Sequence, residues 1–415
     1  MKKIFICLLV TIVVTQFFVS CKKDGAVADH TQTITLPANG SSVVAANNKF
    51  AFNFLQASLQ SDTSSRNKLI SPLSIYIALS MVYNGANNAT LDSISKVLQL
   101  SGISIDDLNA TCQAFLQQLP TEDNEVQLSI ANSIWYNKNS FQPLTSFIDT
   151  TQNFYKAAIE PLNFADQSSV NTINNWIAQH TGNKIQKVLS SIDPGELMYL
   201  INAIYFNGSW KSAFKTANTR NDSFHLQNGT VITTPFMNEQ LIANRYVDST
   251  MTVIELPYGG GKSYSMYIML PAKQTVNNFA SLMNENVLSG IISKMDSANI
   301  GLSLPSWEYS YSIDDMRQEL SSLGMGIAFG NGADLSKMYD PAQTNAYINK
   351  AIHKTYIKVN EQGTQAAAVT VIGIVETASP NVPLFKFDQP FLYAIIEKQT
   401  GAILFVGTVT DPSQH

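Results

Sequence analysis

The chain is short of residues whose types and spacing would let them do chemistry together. Its five histidines stand at 30, 180, 225, 353 and 415, and no pair has the i, i+4 spacing by which a helix presents a zinc site. No Gly-x-Ser-x-Gly run supplies a nucleophile elbow. Gly259 to Ser263 (GGGKS) ends like a phosphate loop, but the motif's first glycine would fall on Leu256, so the run reads as a hairpin turn. Asp106-Asp107 and Asp314-Asp315 put carboxylates side by side, yet each pair precedes an apolar periodic segment and reads as a helix start. Hydrolysis by the chain's own groups is not expected, and neither a metal nor a cofactor is.

The 415 residues are 45% hydrophobic and only 14% charged, enough apolar material for one large domain or two ordinary ones. The net charge of -5 comes without a basic block, which argues against nucleic acid as a partner. Met1 to Ser20 reads as an export signal, with Lys2 and Lys3 ahead of an apolar stretch too short to span a membrane comfortably. Ser20-Cys21 at its end resembles a bacterial lipoprotein cleavage site, which would make Cys21 the lipidated N-terminus of an exported protein, facing the periplasm or the cell surface. A plain secretory signal is the alternative. With Cys7 lost and Cys21 acylated, Cys112 stands alone, so the core must hold without disulfides.

The region 21–43 is polar, small and Thr/Gly/Ala-rich, and reads as a tether. Phe50, Phe54 and Ala57 then recur at helical spacing. Ser71 to Ala86 predicts a helix apolar on nearly all sides, with Pro72 in its first turn and Gly85 at its end. Val126, Leu128, Ile130, Asn132, Ile134 and Tyr136 alternate as a strand. Leu197 to Gly208 is a continuous apolar run, expected as a central strand covered on both faces. Thr252–Pro271 and Phe391–Val409 read as hairpins, the second turning at Gln399-Thr400-Gly401. Helices early and strands later predict an α+β fold, a single domain over 44–415.

One stretch resists this reading. Between Thr364 and Val375 there is no charge, and Ala, Val and Ile supply most of the residues. Its composition is that of a buried strand, but it is longer than the ~5–6 residues typical of one, and its flanks read as exposed loop.

Four blocks in the same order resemble the serpin family: Asn67 to Thr90, Leu200 to Phe214, Val359 to Thr370 (VNEQGTQAAAVT) and Phe387 to Pro412. Departures are few, with Gln362 and Gln365 where charge is common and Gln389 where His is common. The resemblance implies a large central sheet, further sheets, about nine helices, and a reactive loop at about 361–384. In that family the loop is bait for a serine protease and becomes a strand of the central sheet after cleavage, trapping the acyl-enzyme. By the same resemblance Glu361, Gly363, Thr364, Ala366, Ala367 and Ala368 are the hinge, and Thr377-Ala378 is the bond cut, with Val375 or Glu376 as alternatives. Ser71, Ser74, Asn202 and His353 match the polar shutter beneath the sheet, and Trp210 the breach where insertion begins. His353 and Trp210 read equally as core residues.

Side chains alone lend that mechanism support. Small alanines would enter a sheet first, Gly363 would let the backbone turn in, and Thr364, Ala366, Ala368, Thr370, Ile372 and Ile374 share one increasingly apolar face. The target is expected among elastase-like or subtilisin-like serine proteases, and perhaps cysteine proteases, since no basic residue lies between Glu361 and Leu384. No glycosaminoglycan cofactor is expected, because Val97 to Asn137 lacks Lys and Arg. The protein is expected to be a monomer. The alternative is a non-inhibitory serpin acting as a binding protein or chaperone, in which bulky or charged hinge residues are expected.

Overall fold

The computed structural model describes residues 32–342, 346–364 and 382–414. The signal sequence, Cys21, Ala366, Ala367, Ala368, Val375, Glu376, Thr377 and Ala378 lie outside the described residues. Nine α-helices occur among the described residues: α1 (Gly40–Ser61), α2 (Pro72–Gly85), α3 (Asn88–Val97), α4 (Ile105–Gln118), α5 (Thr145–Tyr155), α6 (Ser168–His180), α7 (Val276–Leu282), α8 (Glu285–Ile292) and α9 (Arg317–Leu320). The early strands are β1 (Lys68–Ile70), β2 (Val126–Asn137), β3 (Ala158–Leu162), β4 (Met198–Ser209) and β5 (Arg220–His225). Then come β6 (Val231–Val247), β7 (Met251–Pro257), β8 (Tyr264–Pro271), β9 (Asp296–Pro305) and β10 (Trp307–Ile313). The last are β11 (His353–Asn360), β12 (Gly363–Thr364), β13 (Leu384–Lys386), β14 (Phe391–Glu397) and β15 (Ile403–Val409).

Two sheets result. One runs β1-β15-β14-β8-β7-β6-β9-β13, with β5 paired to β6. The other, which positions the site, runs β10-β11-β12-β4-β2-β3. Helix α2 packs on β15 of the first sheet and on β4 of the second. That is why it is apolar all round, with Leu73, Ile75, Ile77, Leu79 and Val82 all buried. Strand β4 is covered by α2 on one face and by α6 on the other, so its unbroken apolar run is that of a two-sided strand.

Local chemistry accounts for the boundaries. Ser71 caps α2, its hydroxyl accepting the Ser74 amide at 3.4 Å, and Pro72 takes the position that needs no N–H. Ser104 caps α4 in the same way, with Asp106 and Asp107 in the first turn. Gly259 to Ser263 is the turn between β7 and β8, and Gly401, at φ +77°, serves the turn between β14 and β15.

The segment read as a tether to residue 43 differs. From Gln32 it lies on the body, and α1 starts at Gly40. Gln32 N donates to Glu122 O at 2.9 Å, Thr35 exchanges two bonds with the Gln118 side chain, and Ile34 is buried. Polar composition conceals such docking, because the partners are backbone groups that every residue type carries.

Candidate functional site

The site lies where β12 enters the second sheet. Val359 pairs with Thr364 and Asn360 with Gly363 on one side, while Gly363 pairs with Ser209 and Thr364 with Gly208 on the other. Two residues thus stand as a strand between β11 and β4. Beyond them β4 and β11 share no backbone pairing of their own among the described residues. The chain reverses tightly to get there. Gln362 N bonds Asn360 Oδ1 at 3.0 Å, and Gly363 takes φ +151°. A Cβ at Gly363 would overlap the Gly208 carbonyl and stand 2.8 Å from the Ser209 Cα, so the position requires glycine.

Polar bonds fix this hinge on its neighbours. The Glu361 carboxylate accepts the Thr219 hydroxyl at 2.6 Å and its carbonyl accepts Phe214 N at 2.9 Å. Trp210 donates its indole N–H to Asn360 O at 3.0 Å and its amide to Gln362 O at 2.8 Å. Its ring stacks on Tyr258, with centroids 4.5 Å apart. Tyr258 in turn bonds the Thr364 hydroxyl at 2.6 Å, and Thr364 is only 3% exposed. Burial raises the Tyr258 phenol well above its ordinary range, so it stays protonated as a hydrogen-bond partner.

The second group lies farther down the same gap. His353 opens β11 and points inward, its Nε2 accepting the Ser71 amide at 3.1 Å. That bond puts the ring proton on Nδ1. Burial holds the imidazole neutral, with its pKa lowered to about 3. Ser71 Oγ donates to Leu404 O at 2.9 Å, tying α2 to β15. The Ser74 hydroxyl donates to Asn202 Oδ1, and Asn202 Nδ2 donates to Asn132 Oδ1 at 2.6 Å, linking α2 to β4 and β2. Beside these groups a cavity of about 430 Å³ runs under the gap. Met198, Leu200, Asn202, Asn349, Ala351 and His353 edge it, and Leu79, Met316, Phe329 and Met338 floor it.

Glu361, Gly363, Thr364 and Trp210 are therefore gathered at one end of the gap, and Ser71, Ser74, Asn202 and His353 along it. Sequence reasoning missed Tyr258, Thr219 and Asn132. Asn132 carried a faint signal, as the one polar residue among the alternating apolar positions of its strand. Tyr258 and Thr219 carried none, because only the fold brings them to the hinge. No group of three or more His, Cys, Asp or Glu among the described residues is arranged to hold a metal.

Comparison with known proteins agrees with this geometry. Residues 45–412 match the family model described as Serpin (serine protease inhibitor). Serpin B6 of Pongo abelii is 35% identical over 381 residues, covering 88% of this chain and 98% of its own. The solved native state of the thermophilic serpin tengpin superposes with a TM-score of 0.83 at 34% identity, covering 92% of this chain and 97% of that one. Its latent state gives 0.77 at 32% identity. Human thyroxine-binding globulin complexed with its hormone superposes at 0.82 with 25% identity, covering 90% of this chain and all of its own. With the two sheets and a match over nearly its whole length, the chain belongs to the serpin family of serine protease inhibitors.

Proposed function

We propose that the protein is a suicide-substrate inhibitor of serine proteases that traps the acyl-enzyme by inserting its loop into the gap between β4 and β11. The observation that carries this is the pairing of Gly363 and Thr364 with both flanking strands, which supports reading them as the first residues of an inserting strand. Continuing that register brings Thr370 opposite Asn202 and His353, where its oxygens would come beside the Nδ1–H. Ile372 then comes opposite Leu200 and Ala351, and Ile374 opposite Met198 and Asn349, all edging the cavity. The cavity has room for two isoleucine side chains, each contributing roughly 2 kcal/mol on burial. New ladder bonds, on the order of ten at ~1 kcal/mol net each, add to this. The total is an upper bound on the free energy available to drag and distort an attached protease.

Thr377-Ala378 is the proposed bond, with Val375 or Glu376 as the alternative residues cut after, and a small β-branched residue suits an elastase-like pocket. Mixing the protein with elastase-like and trypsin-like proteases tests this. The first should give a denaturant-resistant adduct and the second little or none. Mass spectrometry of the released C-terminal peptide should place its start within Glu376 to Ser379. A start elsewhere refutes the assignment, and no adduct with any serine protease refutes the inhibitor reading.

A pure binding role has the likeness to thyroxine-binding globulin behind it. The small hinge side chains and the cavity edged by register partners favour the inhibitor. Cys21 is read as lipid-modified, which would anchor the inhibitor to a membrane facing the periplasm or the exterior.

A further inference from the structure

We propose that Glu122 and Glu397 share one proton and together act as a pH-sensitive latch that holds the segment 32–36 on the body. Both side chains are fully buried, Glu122 just after α4 and Glu397 at the end of β14. Their carboxyl groups lie within hydrogen-bonding reach of each other. Two carboxylates cannot both stay ionised at such a distance without a cation, and a shared proton resolves the conflict.

The donors around the pair say where the proton sits. Glu397 accepts the Gln399 amide, the Thr400 amide at 2.8 Å and the Thr400 hydroxyl, the surroundings of an ionised carboxylate. Glu122 has fewer donors: the Gln399 side chain bonds Oε1 at 2.8 Å, the Tyr264 hydroxyl lies within reach, and Oε2 has no partner among the described residues. Burial, then the charge of Glu397, raises Glu122 to about 8. No cation among the described residues pairs with either carboxylate, and Lys262 of the neighbouring turn has a partner of its own. Lys398 on the same hairpin is held by Glu255 at 2.6 Å, Asp123 adds a further acid, and Tyr264 of β8 gives its proton to Leu119 O. Helix α1 presents amides, Asn47 and Asn48, to the hairpin.

The pair is coupled to the segment through one residue. Gln399 Nε2 bonds both Glu122 Oε1 and Gln32 O, each at 2.8 Å, and its Oε1 accepts Ile34 N at 3.1 Å. Gln32 N returns to Glu122 O at 2.9 Å. Ionising Glu122 sets two anions face to face in a dry site, and undocking 32–36 is the route that admits water to them.

The sign follows from linkage. Docked Glu122 keeps its proton up to about pH 8, while undocked and hydrated it titrates near the ordinary carboxyl value. Docking is therefore strongest in acid, weakens by up to about tenfold per pH unit across that window, and is flat above it.

Amide hydrogen exchange at Ile34 and Thr35, followed by NMR in the full chain from about pH 5 to about pH 9, reads this directly. Rates are divided by the intrinsic rate at each pH and compared with the core amide of Ile254. Wild-type protection should fall with that slope while Ile254 does not. Glu122→Gln, which keeps the shape and donates to Glu397, should make protection independent of pH. Glu397→Gln, which removes the neighbouring charge, should move the decline to lower pH. Flat wild-type protection, or a wild-type slope in Glu122→Gln, overturns the latch. Should Glu122→Gln not fold, the wild type and Glu397→Gln decide the matter.

Discussion

Replacing Thr364 by arginine tests whether the hinge pairing is the start of insertion. Thr364 is 3% exposed, with its hydroxyl 2.6 Å from that of Tyr258 and its backbone between Val359 and Gly208. Thr364→Arg removes the hydroxyl bond, worth about 1 kcal/mol. It also drives a guanidinium into a site walled by Tyr258, Val359 and Gly208, where the group in place is a phenol and not a carboxylate. An uncompensated buried charge costs several kcal/mol, more than the few ladder bonds of a two-residue strand return at ~1 kcal/mol each. The hinge should therefore leave the sheet. Proteolysis of the scissile bond continues, since Thr364 is well upstream of it, but insertion loses its first step and the acyl-enzyme hydrolyses. Titration of a susceptible protease should then show the stoichiometry of inhibition rising at least several-fold, with cleaved inhibitor replacing the adduct. Cleavage should also stop raising the melting temperature. Thr364→Val keeps the shape and loses only the hydroxyl, so it should still inhibit at a stability cost of about 1 kcal/mol. Unchanged stoichiometry in Thr364→Arg would refute the insertion mechanism.

Gly363→Ala places a Cβ against the Gly208 carbonyl at a φ of +151°, so the hinge should unpair or the protein lose about 1–3 kcal/mol; chemical denaturation and tryptophan emission, which includes Trp210, would register either. His353 has its folded pKa lowered to about 3, below the unfolded value, so stability rises with pH through the window from about 3 to about 6.5 and is lost as pH falls, at up to ~1.4 kcal/mol per unit. His353→Gln retains an acceptor for Ser71 and cannot titrate, so urea unfolding should show a shallower acid dependence over that window, and an unchanged slope would assign it elsewhere. Radiolabelled lipid should enter the wild-type protein during export and be absent from Cys21→Ala; equal membrane partition of the two would end the lipoprotein reading.

Much of this protein is decided locally and can be read from the sequence. The alternation in β2, the unbroken run of β4, the Ser71-Pro72 start of α2 and the glycine turns of two hairpins were all legible, because each is set by neighbours within a few residues. Gly363 was legible too, since a reversal into a sheet admits no other side chain. The relations across the gap were not. That Thr364 meets Tyr258, that Ser74 reaches Asn202, and that His353 takes the Ser71 amide depend on β4 and β11 standing apart, and no local pattern encodes a separation. The docking of 32–36 and the meeting of Glu122 with Glu397, 275 positions further on, belong to the same class. Sequence alone determined which segments would form strands and helices and which one was too apolar for a loop. Tertiary structure decided which buried polar groups found partners and which did not, because a hydrogen bond or a shared proton is settled by a few tenths of an ångström between residues far apart in the chain.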